Sequence, residues 1–414
     1  MQQKTASVFN IAVIVAALGY FVDIYDLLLF GIIRIRSLEE LGLKGDQVAK
    51  DGLFILNIQM LGLLIGGILW GILADKKGRL KVLYASIILY SVGNIVNGFV
   101  QNVNQYAIIR FFTGIGLAGE LGAGITLVSE LLPKEKRGIG TSLVAGFGLT
   151  GAVVAFFMRE NFHWRTCYFI GGGLGFVLLA LRVGVLESAM FKTIQHSTVS
   201  KGNFFMFFNN AKRFKKYLFS ILIGMPTWYV IGILVTFSKE FGEKMGVTGK
   251  VDPGKAIMFA YVAISVGDIV VGFVSQWLRS RKKTLYIFYG LTAIGIAWFF
   301  SLQGQSVNML YAACAFLGFA TGFWAIFVTM AAEQFGTNIR ATAATTVPNM
   351  VRGSLNLISI LFASLQPSFG YVKSGWITGL VIMIITVTAA ILTEETYHKD
   401  LNYIEGEEVI PPAS

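Results

Sequence analysis

Two aspartates three residues apart, Asp23 and Asp26, interrupt an apolar run near the start of the chain. On a helix they share a face with Tyr20 and Phe30. Two carboxyls this close do not ionise together comfortably, which makes the pair a candidate for gaining and losing a proton. The structural alternative is that one aspartate neutralises Arg110 or Arg352. Glu120, set between glycines in Gly119-Glu120-x-Gly122, is a third candidate proton carrier. Arg352 lies in the middle of another apolar run, with Asn349 and Asn356 at i−3 and i+4, a polar stripe on an apolar helix. A guanidinium flanked by amides is suited to grip a carboxylate or phosphate at two points. Tyr261, Ser265 and Asp268 form a similar stripe, and Trp228, Tyr229 and Trp324 are candidates for a cavity wall. The expected substrate contacts are therefore Arg352, Asn349, Asn356, Tyr20, Trp228, Tyr229, Trp324 and Asp268. Two cysteines inside apolar runs (Cys167 and Cys314) and three scattered histidines make no metal-ligand set. No nucleophile–base set appears either, so neither an enzyme nor a cofactor is expected. Gly114-Ile-Gly116-Leu-Ala-Gly119 spells a dinucleotide fingerprint, but no strand precedes it, and it reads as small-residue helix packing.

These groups sit in a chain of 414 residues that is 55% hydrophobic and 14% charged, with a mean hydropathy of +0.67. Soluble chains carry roughly a quarter charged residues, so a water-soluble enzyme, a disordered protein and a disulfide scaffold are excluded. Twelve runs are long enough to cross a ~30 Å hydrocarbon layer as helices: 11–33, 53–73, 82–100, 105–130, 139–158, 166–186, 217–237, 256–278, 284–302, 307–332, 342–365 and 375–393. The first holds Asp23 and Asp26 and lacks a cleavage site, so it is a span and not a signal peptide. With both termini inside, cytoplasmic segments carry 20 Lys/Arg and outer loops 11, the usual bias. That topology accounts for the net charge of +11 without nucleic acid. Seven ionisable residues fall within spans: Asp23, Asp26, Arg110, Glu120, Arg182, Asp268 and Arg352. At roughly 2.5–3.5 kcal/mol per Asp, Lys or Arg, facing lipid would cost on the order of 20 kcal/mol. They must pair or line water; Arg182, near a span end, is expected to snorkel to the interface.

The longest connection divides the chain into segments 1–186 and 217–393, six spans each, with a linker at 187–216 and a tail at 394–414. The linker's Asn203–Lys216 part, apolar and then basic, reads as an interfacial helix on the anionic inner leaflet. The acidic tail reads as a solvated end. The halves repeat weakly. Glu130 and Arg137 after span four answer Glu333 and Arg340 after span ten, both pairs seven apart. The span 2–3 turn at Gly71–Lys81 has a faded copy at Gly272–Lys282. Parallel six-helix repeats are the mark of a carrier that rocks one half against the other around a midplane site.

At these residues the sequence resembles the major facilitator superfamily over its whole length. Gly71-x-x-x-Asp75-Lys-x-Gly78-Arg79-x-Lys81 matches the family's loop 2–3 motif almost in full, and Arg110-x-x-x-Gly114-x-Gly116 its span-four motif. Glu130, Pro133, Arg137 and Gly138 match the loop 4–5 pattern, and Glu187-Ser188 is similar to the sugar-porter motif after span six. Asp23-Ile-Tyr25-Asp26, with Gly119-Glu120-x-Gly122, most resembles the metabolite:proton symporters. Gln276 in place of the second-half aspartate, Ala189-Met190 in place of Pro-Arg, and the missing span-five and span-seven glutamines argue against a sugar.

The resemblance implies an all-α membrane protein with twelve transmembrane helices in two pseudo-symmetric six-helix bundles. It implies that Asp75 faces the N-terminus of span eleven, where a positive dipole end favours an anion. Gly71, Gly78, Arg79, Arg110, Glu130, Arg137 and Glu187 then belong to the gate closing the cytoplasmic side, with Glu333 and Arg340 answering. The expected function is secondary active transport of a small polar metabolite, an organic acid or zwitterion, by proton-coupled symport. A monomer in the bacterial inner membrane is expected, with a small-molecule substrate, protons and lipid as its partners. Uniport, exchange, a sugar load, or a sensor that kept the fold without turnover are the alternatives.

Overall fold

The computed structural model describes residues 11–120, 144–182, 204–397 and 399. Helices α1 (Ile11–Glu40), α2 (Asp46–Lys77), α3 (Arg79–Asn97), α4 (Val103–Leu117), α5 (Gly151–Asn161) and α6 (Trp164–Leu181) precede the linker. After it come α7 (Ala211–Tyr229), α8 (Ser238–Lys244), α9 (Pro253–Leu278), α10 (Arg281–Phe300), α11 (Val307–Ala320), α12 (Trp324–Glu333), α13 (Arg340–Gly353) and α14 (Leu355–Leu392). Among the described residues the one pairing of β type is an isolated bridge, Thr248 to Ser306. Lipid offers no partner to a free N–H or C=O, so helices that satisfy their own backbone dominate. Eight helical stretches among the described residues are long and apolar enough to cross a membrane, and the protein is an integral, multi-pass membrane protein.

Small residues bring the helices together. A Cβ on Gly114 of α4 would stand 2.4 Å from the Gln59 carbonyl of α2, and Gly116 and Gly119 lie as closely on Tyr90 and Ser86 of α3. The apparent dinucleotide fingerprint is thus a packing seam. In the second half Gly318 of α11 presses on the Ala260 backbone of α9 in the same way. The first half packs on the second mainly through α2 against α13, α1 and α5 against α9, and α2 against α14.

Five stretches differ from the sequence expectation. Spans seven and ten, read as continuous, are both broken. The seventh carries Pro226, then a wide π turn at Val230–Val235 before α8, since proline withdraws a donor from the ladder. The tenth stops at Ala320 and restarts at Trp324. The expected loop 366–374 is helical except at Gly370, where φ is 73°, a conformation glycine adopts without steric cost. The expected interfacial helix at 203–216 is instead a 3₁₀ turn, Phe204–Phe207, followed by the first turns of α7. Phe207 stacks on Tyr217 at 4.5 Å and meets Phe335 edge-on, so this apolar segment packs partly on protein. The expected solvated tail is tied down at its start. The Glu395 carboxylate accepts from the Ser280 hydroxyl at 2.5 Å and from the N–H groups of Arg281, Lys282, Thr396 and Tyr397 at 2.9–3.2 Å.

Candidate functional site

A small cavity lies where the two halves meet. Tyr20, Ile24 and Leu27 of α1 and Leu149 line it from the first half. Thr227 and Trp228 of α7, Tyr261 and Ile264 of α9, Trp324 of α12 and Arg352 of α13 line it from the second. Its free volume of about 20 Å³ holds about one water molecule. Four aromatic rings and one guanidinium make an apolar slot with a single cation in its wall.

That cation faces a carboxylate across the seam. Arg352 Nη2 and Asp23 Oδ2 are 3.6 Å apart, with side chains 1% and 0% exposed. The separation exceeds hydrogen-bond reach, and neither Asp23 oxygen finds a donor among the described residues. The pair is a charge balance without a lock. Asn349 fixes the arginine: its Oδ1 accepts from Arg352 Nη1 at 3.3 Å while its amide donates to the Ala118 carbonyl of the first half at 2.8 Å. The Arg352 guanidinium also stands 5.6 Å from the Trp324 ring centroid, within cation–π range.

Asp26 takes a different place. Its carboxyl rests on Gly171 of α6, beside Arg110 and Asn94. Arg110 donates to the Asp26 carbonyl at 3.0 Å, to Gln59 Oε1 at 3.2 Å and to Asn94 Oδ1 at 3.4 Å. Asp26 therefore belongs to the interior of the first half and not to the seam, and Arg110, expected in the gate, is its buried neighbour. Glu120 forms an ion pair with Arg182, and both are 1% exposed. Gly19 of α1 lies directly against the two groups. Arg182 is thus a buried partner and does not snorkel.

Other expected site residues fall elsewhere. Tyr229 donates its hydroxyl to the Gly375 carbonyl at 2.7 Å and is turned from the cavity. Asn356 bonds locally to the Gly353 carbonyl at 3.1 Å and does not line the cavity. Asp268 accepts from the Ala325 N–H at 3.0 Å and does not line the cavity. Gly71 meets Thr342 and Thr346 of α13, with Thr342 Oγ1 donating to the Gly71 carbonyl at 3.3 Å. Gly78 makes the α2–α3 turn at φ 97°. Glu333 pairs with Arg281 at 3.4 Å and accepts from Thr396, while Arg340 Nε donates to the Phe335 carbonyl. The side chains of Asp75 and Arg79, and all of Glu130, Arg137 and Glu187, lie outside the described residues.

The end of the seam opposite Gly71 carries two ion pairs that the sequence reading passed over. Arg34, fully buried, reaches Glu240 at 2.7 Å and the Thr236 carbonyl at 3.4 Å. Arg159 meets Asp252 at 2.7 Å. All four lie at or beyond the span ends, where charge reads as surface. Gln59 and Asn94 were also missed, although each is a polar residue inside an apolar run and so carried a signal.

The profile described as Major Facilitator Superfamily matches residues 9–359. The chain belongs to the Major Facilitator Superfamily. This MFS protein is a membrane transporter, not an enzyme. It is 25% identical over 427 residues to the niacin transporter NiaP of Acinetobacter baylyi, a match covering 94% of this chain and 95% of that one. The benzoate transport protein of the same organism is 24% identical over 373 residues, covering 80% and 78%. The cis,cis-muconate transport protein is 25% identical over 393 residues, covering 91% of each. Among solved structures, the MFS proton:xylose symporter XylE superposes with a TM-score of 0.72 at 17% identity, over 94% of this chain and 97% of that one. At that identity the likeness is one of fold.

Proposed function

We propose that this protein carries a small ring carboxylate across the bacterial inner membrane together with a proton, by alternating access between two six-span halves. The observation that carries this reading is the loose Asp23–Arg352 pair across the seam, in the wall of an aromatic slot. A substrate carboxylate binding Arg352 at two points takes the cation away from Asp23. An uncompensated buried carboxylate costs several kcal/mol, so Asp23 accepts a proton as the substrate binds. Loss of that proton restores the pair and releases the substrate. One cation with two possible partners thereby ties one proton to one carboxylate. The rings of Tyr20, Trp228, Tyr261 and Trp324 suit a flat body, as in the niacin and benzoate after which two of the relatives are named.

Asp26 beside Arg110 and Glu120 on Arg182 pass that same single proton along inside the first half. The Gly71–Lys81 segment with Asp75 and Arg79, joined by Glu130, Arg137 and Glu187, closes the cytoplasmic end. Segments 1–186 and 217–393 form the two bundles, twelve spans in all, with both termini cytoplasmic and the protein acting as a monomer.

A monoanion and a proton together move no net charge, so a pH gradient supplies the drive, about tenfold accumulation per pH unit. The test is uptake of radiolabelled nicotinate and benzoate into proteoliposomes with an acidic exterior. Accumulation should follow the pH gradient and ignore an imposed potential; uptake indifferent to pH would overturn the coupling.

A further inference from the structure

The tenth span breaks beside the cavity, and something must hold the break. Its first part, α11, is closed by Thr321, whose hydroxyl donates back to the Leu317 carbonyl at 2.8 Å. Its second part, α12, begins at Trp324, and the preceding Phe323 offers no side-chain cap. The first N–H groups of a helix have no partner within it and normally find a Ser, Thr, Asp or Asn just ahead. Here the acceptor comes from another helix. Asp268 of α9, 1% exposed, accepts from the Ala325 N–H at 3.0 Å through Oδ1, and the Trp324 N–H also lies against it. Its other oxygen finds no donor, and it makes no ion pair among the described residues. A carboxylate at a helix N-terminus is favoured by the dipole, which gives a buried acid with no cation a physical reason to sit here.

The backbones are shaped for this approach. A Cβ on Gly322 would stand 2.6 Å from the Gly267 Cα and 2.8 Å from the Asp268 nitrogen. Any side chain at Gly322 therefore pushes the break away from α9. The residue the cap holds is Trp324, the first of α12. Its ring meets Phe327 edge-on at 4.7 Å and faces Arg352 across the cavity.

We propose that Asp268 is a positioning residue: by capping the restarted half of the tenth span from α9, it sets Trp324 against Arg352 and so determines the affinity of the cavity. The consequence for affinity rests on the substrate site being this cavity; the geometric part does not, and one experiment separates them. Asp268→Asn keeps an acceptor oxygen for the Ala325 N–H, whereas Asp268→Leu removes it at similar volume. Purified Asp268→Leu should show an altered tryptophan emission spectrum. The same substitution made in a Trp324→Phe background should change nothing further, and Asp268→Asn should resemble the parent. If Asp268→Leu does not fold, Gly322→Ala, which leaves the carboxyl in place and displaces the break, should give the same Trp324-dependent change.

In uptake assays with benzoate, Asp268→Leu should raise KM about tenfold with the maximal rate within twofold, and Asp268→Asn should stay near the parent. An emission change that persists without Trp324, or an Asn variant as impaired as the Leu variant, would overturn the positioning role. A parent protein that neither binds nor carries benzoate or nicotinate, while the emission change still depends on Trp324, sinks the substrate reading and supports the positioning role.

Discussion

In the proposed coupling Arg352 is the residue on which the chemistry turns, because Asp23 and a substrate carboxylate would compete for it. A guanidinium grips a carboxylate through two parallel bonds, and an ammonium does not. Each hydrogen bond to a charged group contributes about 1.5–3 kcal/mol. Arg352→Lys should therefore weaken benzoate binding by roughly 10–100-fold, and Arg352→Ala should abolish the ligand-induced rise in Tm; an unchanged shift would remove Arg352 as the anchor. Asp23→Asn leaves the cation without its competitor. That variant should still bind benzoate and exchange it across the bilayer, yet fail to accumulate it under a pH gradient, as counterflow and net-uptake assays would show. Accumulation at the parental level would mean that the proton travels elsewhere, with Asp26 and Glu120 the remaining carriers.

At the scale of elements, the seventh and tenth spans break next to Trp228 and Trp324, which both line the cavity from the second half, and both breaks bring backbone irregularity to protein-lined depth where it can be satisfied. The second-half copy of the span 2–3 turn shows a different repair. Gln276 stands where the repeat would place an acid, and Glu395 from the tail supplies a carboxylate to that turn. Burial pushes the Glu395 carboxyl up, but the Ser280 hydroxyl and the surrounding N–H groups outweigh it and hold it below the ordinary glutamate range. A depressed folded value means that its stabilisation is present above the unfolded value and is lost as pH falls through the folded one. Thermal unfolding in detergent should thus show Glu395→Gln lowering Tm at pH 7, with the difference shrinking as pH falls below the ordinary glutamate range. A constant difference over that fall in pH would place the effect in something other than this carboxylate. The tail looked like a solvated end because a run of acids carries no sign of which donors it will meet.

At the scale of the whole molecule, the halves meet at both ends of the cavity: through Gly71, Thr342 and Asn349 at one, and through Arg34–Glu240 and Arg159–Asp252 at the other. Removing one partner of a buried ion pair costs about 3–5 kcal/mol in the state that contains it, with less expected here because Glu240 and Asp252 are partly exposed. The combined variant Glu240→Gln with Asp252→Asn should favour the conformer open at that end. With Cys167 and Cys314 replaced by serine, a Leu149→Cys probe in the cavity should then react with a water-soluble maleimide about tenfold faster or more; an equal rate would show that these pairs do not hold the end closed. Part of this architecture was legible in the residues alone: the apolar runs of an all-helical membrane protein and the family to which the loop motif pointed. Those features depend on local composition, since lipid excludes charge wherever it falls in the chain. Which acid meets which base was not legible. Asp23 and Asp26 are three residues apart, about 60° around one helix, and α1 packs against both halves. That small rotation sends Asp23 to Arg352 across the seam and Asp26 into the first half beside Arg110. The choice between those surroundings belongs to helices far away in the chain, Arg110 lying 84 residues beyond Asp26 and Arg352 much further, and three-dimensional packing alone brings them together.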